Sequence, residues 1–329
     1  MQTTFGLSKT IFAAVMFAAA LYGGDGKAQS IHGPEENTLV LPAKAHTVPL
    51  RWQGDSINGK WEPHTALLIP VKLANCPRQF YMQFDLGHPY TVFYKNKLQS
   101  IRQKYPKAVQ VDESTEKLLN FSFRAGKMPV SAEEIAVKQY DSSVIDWKDK
   151  HGIEIIGTIG VDFIDGRTAI IDYPGQKMTI AAEIPPKLLS RVTLTDFFYA
   201  KRRVLLPAKI MDKQTMLYFD TGSSMYELLT DKKSCEALAI PGSAFVQSSM
   251  WSWNKYLTAN SIPSNGTIEI NGARIPVHYA TYIEGVNSAQ VEQMMKMGIG
   301  GMTGNKIFLE YQLVLDTKNK QFGLIRGGK

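Results

Sequence analysis

Two stretches of this chain carry the same landmarks in the same order. Leu67–Asp85 reads LLIPVKLANCPRQFYMQFD, and Val204–Asp220 reads VLLPAKIMDKQTMLYFD. Pro70 matches Pro207, Lys72 matches Lys209 and Asp85 matches Asp220, with Pro-to-Asp intervals of 15 and 13 residues. Each copy is an extended run, a polar turn and a second run, the pattern of a β-hairpin. Further on, Gly157-x-x-Gly160 and Gly301-x-x-Gly304 are each followed twelve residues later by an aspartate, Asp172 and Asp316. Three ordered landmarks repeated in one chain point to an internal duplication. The two halves meet near Pro185-Pro186, where proline ends strand pairing. Most remaining runs are short, β-branched or aromatic, and bounded by Gly, Pro, Asn or Asp; Asn120–Arg124, Glu134–Tyr140, Thr267–Asn271 and Ile275–Ile283 are examples. Helical patterning is confined to about Tyr94–Lys104, Thr230–Leu238 and Ser288–Met297. The expectation is an all-β protein of two pseudo-symmetric β-barrel lobes with a cleft between them. Its boundaries are 1–30 for an export signal, 31–185 for the first lobe and 186–329 for the second.

The chemistry-bearing residues fall on the duplicated turns. Asp85-Leu86-Gly87 and Asp220-Thr221-Gly222 each follow a run that reads as a buried strand. A carboxylate there is costly to bury unless it is paired or hydrogen-bonded, and the glycine permits a tight turn and a close neighbour. A single Asp-x-Gly is most simply a strand-end cap. Two of them in pseudo-symmetric lobes would meet face to face. Two carboxylates so close cannot readily both ionise, so they hold one proton between them; one then acts as base towards a water and the other as acid towards a carbonyl oxygen.

Phe219-Asp220-Thr221-Gly222-Ser223-Ser224 resembles the active-site turn of pepsin-like and retropepsin-like aspartic peptidases. The two Gly-x-x-Gly segments resemble the apolar-Gly motif that threads beneath that turn, and Ile170–Tyr173 and Leu315-Asp316 resemble the strands that close such lobes. The resemblance covers roughly residues 65–328. It implies a cleft for an extended peptide, hydrolysis by an activated water without metal or cofactor, Asp85 and Asp220 as the catalytic pair, Gly87 and Gly222 shaping the turns, and Thr221 and Ser223 orienting Asp220. The first turn departs from the pattern. Leu86 has no hydroxyl, so the brace between the lobes is at best one-sided. His88 stands where a small hydroxyl residue would bond the carboxylate; either it faces Asp85 protonated, favouring the anion, or it is an outward turn histidine. Asn120–Met128 is the candidate flap hairpin, and Met250–Tyr256 either supplies an apolar wall from the second lobe or packs a loop. Leu86 and His88 motivate an alternative, a catalytically silent peptide-binding protein of the same fold.

Composition removes other classes. The chain has 329 residues, 44% hydrophobic and 20% charged, which excludes disordered and low-complexity proteins. A net charge of +7 without any basic run argues against a nucleic-acid partner. Met1–Lys9, the apolar Thr10–Tyr22 and the small, polar Gly23–Ser30 read as a cleavable signal, so a secreted or periplasmic monomer without a stable membrane span is expected. Residues 31–64 are either a removable pro-segment or an added strand. Cys76 and Cys235 are too few for a disulfide framework and read as unpaired thiols, though an oxidising compartment would allow them to pair. The six histidines show no metal-ligand spacing, Gly298–Gly304 runs into a strand rather than the helix a dinucleotide needs, and no Gly-x-Ser-x-Gly elbow is present.

Overall fold

The computed structural model describes residues 36–112, 116–140, 142–252 and 255–327. The expected export signal, residues 1–30, lies outside the described residues. Strands dominate, in two eight-stranded sheets and one six-stranded sheet. No helix among the described residues is long and apolar enough to cross a membrane.

The two larger sheets repeat one wiring. In the first half, Lys60–Leu73 turns into Phe80–Phe84, which then pairs in parallel with Ile155–Ile159. In the second, Arg203–Ile210 turns into Lys213–Phe219, which pairs in parallel with Ile299–Thr303. Val92–Tyr94 runs parallel to Met128–Lys138, as Leu228–Leu229 does to Ala273–Glu284. Lys117–Ala125 closes back on Lys60–Leu73, as Lys255–Ile270 does on Arg203–Ile210. The all-β, two-lobed architecture expected from the repeat is thus present strand for strand. Each lobe also carries its own addition: Leu39–Val40 edges the first sheet, and Val246–Ser252 the second.

The glycine repeat has a steric cause. A Cβ on Gly160 would lie 2.6 Å from the His88 carbonyl oxygen, and one on Gly304 would lie 2.2 Å from that of Ser223. Any larger residue would push the threading strand out from under the Asp turn in either lobe. The threaded strand is held there by main-chain bonds, Val161 N–H to His88 O at 2.9 Å and Gly304 N–H to Tyr226 O at 2.9 Å.

The segments likened to lobe-closing strands, Ile170–Tyr173 and Leu315-Asp316, lie in or at the end of the strands Thr168–Asp172 and Tyr311–Asp316, which pair with each other, Ile170 opposite Val314. They form the centre of the six-stranded sheet, flanked by Lys177–Ala181 and His46–Pro49 on one side and Gln321–Arg326 and Thr195–Asp196 on the other. Period-two patterning shows that a strand is half-buried without saying which strand lies beside it. Both faces are apolar here: Ala169, Ile171, Leu313 and Leu315 belong to the main core, and Ile170, Val314 and Ile325 to a separate cluster.

A second set of contacts ties the halves together at two related places. The hairpin turn at Asn58-Gly59, between Arg51–Ile57 and Lys60–Leu73, brings Asn58 to the Gln247 carbonyl. On the same hairpin, Glu62 meets Lys306 of the second lobe at 2.7 Å. The hairpin turn at Lys201-Arg202, between Phe198–Ala200 and Arg203–Ile210, brings Arg202 to Asp165 of the first lobe at 2.9 Å, with Tyr199 donating to the same carboxylate at 2.7 Å. All four turn residues have positive φ, the geometry of a two-residue hairpin loop.

Leu315 is fully buried at the junction of the two halves. Leu315→Ala is expected to lower the unfolding free energy by about 2–5 kcal/mol, read as a drop in the urea midpoint.

Candidate active site

Each Asp turn is fixed by the strand that precedes it and the strand that threads beside it. Asp85 N–H donates to Ile159 O, and Asp220 N–H donates to Thr303 O, both at 3.0 Å. Within each turn the carboxylate accepts the amide two residues on, Gly87 to Asp85 and Gly222 to Asp220, both at 2.8 Å. The two turns then face one another. A Cβ on Gly87 would sit 2.5 Å from Asp220 Oδ1, and a Cβ on Gly222 would sit 2.5 Å from Asp85 Oδ1. Each glycine therefore lies flat against the opposite carboxylate, and the two carboxyl groups hydrogen-bond each other.

The support beneath them is unequal. Thr221 Oγ1 reaches into the first lobe, accepting from Leu86 N–H and donating to Phe84 O, both at 2.8 Å. Leu86, fully buried in the core, has no hydroxyl to return the contact. Asn305 holds the second turn from below, donating to Thr221 O and to Ser224 Oγ at 3.0 Å while accepting from Tyr173 at 2.7 Å. Ser223 Oγ donates to Asp220 Oδ2 at 2.9 Å.

His88 occupies the position equivalent to Ser223 and takes neither orientation weighed from the sequence. It is buried, with Nδ1 on the Tyr90 carbonyl at 2.5 Å and Nε2 3.4 Å from the Tyr140 hydroxyl. Burial lowers its pKa to about 4, so the ring is neutral near pH 7. What it offers Asp85 is its backbone N–H.

Both carboxyls are buried, Asp85 at 3% exposure and Asp220 at 0%. Burial raises Asp220 to about 6, against the pull of Asp85, Ser223 and Gly222. Asp85 is held well above the usual carboxylate range, by burial first and then by the charge of Asp220. The pair thus keeps one proton at neutral pH.

The flap expectation is corrected. The Asn120–Met128 hairpin does not stand free as a flap: Ala125 pairs with Val71, and Gly126 N–H donates to Pro70 O at 2.7 Å. Its tip is spent on sheet pairing. Within Met250–Tyr256, Met250 packs with Tyr218, Tyr226, Leu229 and Met302, and Tyr226 donates to its sulfur at 3.6 Å. Trp253 and Asn254 lie outside the described residues. Cys76 and Cys235 are buried and free.

The sequence reading missed Asn305, Tyr140 and Tyr218. Asn305 directly follows the second Gly-x-x-Gly motif, where the first copy has Val161, and that mismatch within the repeat was the available signal. Tyr218 precedes the second turn and sends its hydroxyl to Leu86 O at 3.4 Å. Tyr140 ends the Glu134–Tyr140 run, whose patterning marks a strand and gives its last residue no chemical role.

No known protein-family profile matches the chain, and no curated protein matches it. A solved structure similar to it is an aspartic proteinase from Irpex lacteus, at 13% identity and a TM-score of 0.48, covering 87% of this chain and 98% of that one.

Thr221→Val would leave Leu86 N–H and Phe84 O unpaired in the core, at about 1–3 kcal/mol each, whereas Thr221→Ser keeps both bonds. Denaturation midpoints should fall for the first variant and hold for the second. Asp162, buried two residues past Gly160 where it accepts from Thr91 N–H and Oγ1, is raised by burial to about 6. It, Asp85 and Asp220 keep protons in the fold that the unfolded chain releases near 3.8. Their contribution to stability is present below that value and is lost as pH rises through 6 and beyond. His88 opposes this, because the unfolded ring takes up a proton below 6.5 that the folded ring refuses until about 4. His64, also lowered by burial, opposes in the same sense, but the three raised carboxyls, with Asp85 held well above its usual range, outweigh the two histidines and make the thermal midpoint lower at pH 7 than at pH 5, as calorimetry would read.

Proposed function

We propose that this protein hydrolyses peptide bonds in an extended chain, using a water held between Asp85 and Asp220. The observation that carries this is the reciprocal contact, each turn glycine lying 2.5 Å, by its missing Cβ, from the other lobe's carboxyl. Two carboxyls so close, with the Ser223 hydroxyl on Asp220, support a reading in which they share a single water. Asp220, which receives the Ser223 hydroxyl, takes the proton from the attacking water. Asp85, holding the shared proton, gives it to the substrate carbonyl oxygen as the tetrahedral centre forms. The proton gained by Asp220 then passes to the leaving nitrogen as the C–N bond breaks, one hydroxyl of the tetrahedral carbon returns its proton to Asp85 as the carboxyl C=O re-forms, and water has been added across that bond with the pair restored. Neither metal nor covalent intermediate enters this sequence.

The reading extends to setting. The N-terminal apolar stretch supports export, and an all-β fold of two lobes supports an extended peptide or an unfolded protein as partner, with the protein acting as a monomer. The division into a first lobe to residue 185 and a second from 186 follows the repeat.

The near-complete burial of both carboxyls favours a second reading, in which the fold binds peptide without cleaving it. Cleavage of an extended-peptide library by the wild type and by Asp220→Asn decides between them. The substitution is expected to lower kcat at least ~10²–10⁴-fold, the usual contribution of a positioned base. Turnover unchanged in the variant rejects the mechanism. Peptide binding without turnover in the wild type, together with no tight binding of a statine-type mimic, supports the silent form.

A further inference from the structure

The two Asp turns are equivalent in backbone but not in what serves their carboxylates. At the third position after the aspartate, lobe two has Ser223, whose hydroxyl donates to Asp220 at 2.9 Å. Lobe one has His88, and the ring is turned to other partners. Its Nδ1 lies close on the Tyr90 carbonyl, which accepts and never donates, so this contact outweighs the 3.3 Å one from Tyr90 N–H, puts the hydrogen on Nδ1 and leaves Nε2 as an acceptor. The Tyr140 hydroxyl then donates to Nε2 across 3.4 Å, and the Tyr140 ring stands edge-on to Tyr94 at 5.4 Å. The donors to Asp85 are main-chain amides, those of Gly87 and His88.

Resting on the hydrolytic reading above, we infer that His88, clamped between Tyr90 and Tyr140, is a positioning residue that decides which carboxylate carries the shared proton. By withholding the hydroxyl that its counterpart gives Asp220, it makes Asp85 the acid and Asp220 the base. Asymmetry between chemically identical groups needs an asymmetric environment, and the His88/Ser223 difference is one placed directly on the pair. Among the described residues, the other ionisable groups around Asp85 are Asp220 and Tyr218 from the second lobe, and His88 and Tyr140 from the first. Burial holds both tyrosines protonated and the imidazole neutral, so none of them supplies a competing charge near neutral pH. Lys138, at the end of the Met128–Lys138 strand, further disfavours a proton on His88.

The consequence is specific to the two ends of the pH range. The first proton lost by the pair comes from Asp220 and the second from Asp85. His88→Ser supplies the missing donor and stabilises the second anion. It is expected to move the descending, alkaline limb of the kcat/KM profile down by about one pH unit, the size of one hydrogen bond to a charged group, with the ascending limb moving less. Ser223→Ala removes the donor to Asp220 and is expected to move the ascending limb up by about the same amount. An infrared titration of the protonated carboxyl bands in the unliganded protein reads both proton losses without any turnover, and should show the same two shifts. A descending limb and second titration unmoved by His88→Ser overturn the inference. So does Ser223→Ala shifting only the second proton loss, an outcome that decides the matter alone should His88→Ser not fold. Shifted titrations in a protein that cleaves nothing reject the hydrolytic reading and keep the proton assignment; cleavage with unshifted titrations does the reverse.

Discussion

Two carboxyl groups forced together out of water cannot both be charged, and the surrounding structure is organised around that restriction. In a medium of low polarity the repulsion between two anions within bonding reach far exceeds anything a few amides can offset. One proton must stay, and the fold must be rigid enough to keep the pair from drifting apart to relieve it. The parallel strand beside each turn, the glycines that allow backbone to lie on backbone, and the Thr221 and Asn305 bonds all oppose that drift. The carboxyls hydrogen-bond each other because the main chain leaves them little freedom to do otherwise.

Holding the turns in register requires that the lobes themselves not slide. Two unlike mechanisms share this. The central sheet joins Thr168–Asp172 to Tyr311–Asp316 with apolar packing on both faces, a broad and non-directional bond. The Glu62–Lys306 and Arg202–Asp165 contacts are narrow and directional, each sent from one lobe's first hairpin to the segment just past the other's glycine motif. Their half-buried setting makes them more valuable as orientation devices than as sources of net stability. The same two-fold relation that duplicates the strands duplicates these contacts, with charges of opposite sign at matching places.

Much of this could be read from residues alone, because the repeat carries its own alignment. The hairpins leading to Asp85 and Asp220, the Gly-x-x-Gly threads and the helices at Lys95–Lys104, Lys232–Leu238 and Ser288–Lys296 follow from patterning and steric need. The facing of the two aspartates followed from symmetry. What patterning could not supply was partnership. Ile170–Asp172 is equally apolar whether it closes its own lobe or joins another. The Asn120–Met128 hairpin has the same alternation whether its tip stands free or pairs with Val71. His88 shows the same limit at a single side chain: its sequence neighbours suggested the carboxylate, but the nearest carbonyl and a tyrosine at the end of the Glu134–Tyr140 run claimed its nitrogens.

The Thr221 side chain spans both halves, bonded to Leu86 N–H and Phe84 O, and the Leu86 side chain has no hydroxyl to send back. The halves are therefore not interchangeable. Two copies of the second half assembled about a two-fold axis would each have a hydroxyl to give the other. Two copies of the first half would have none, and would leave a main-chain donor and acceptor stranded on each side.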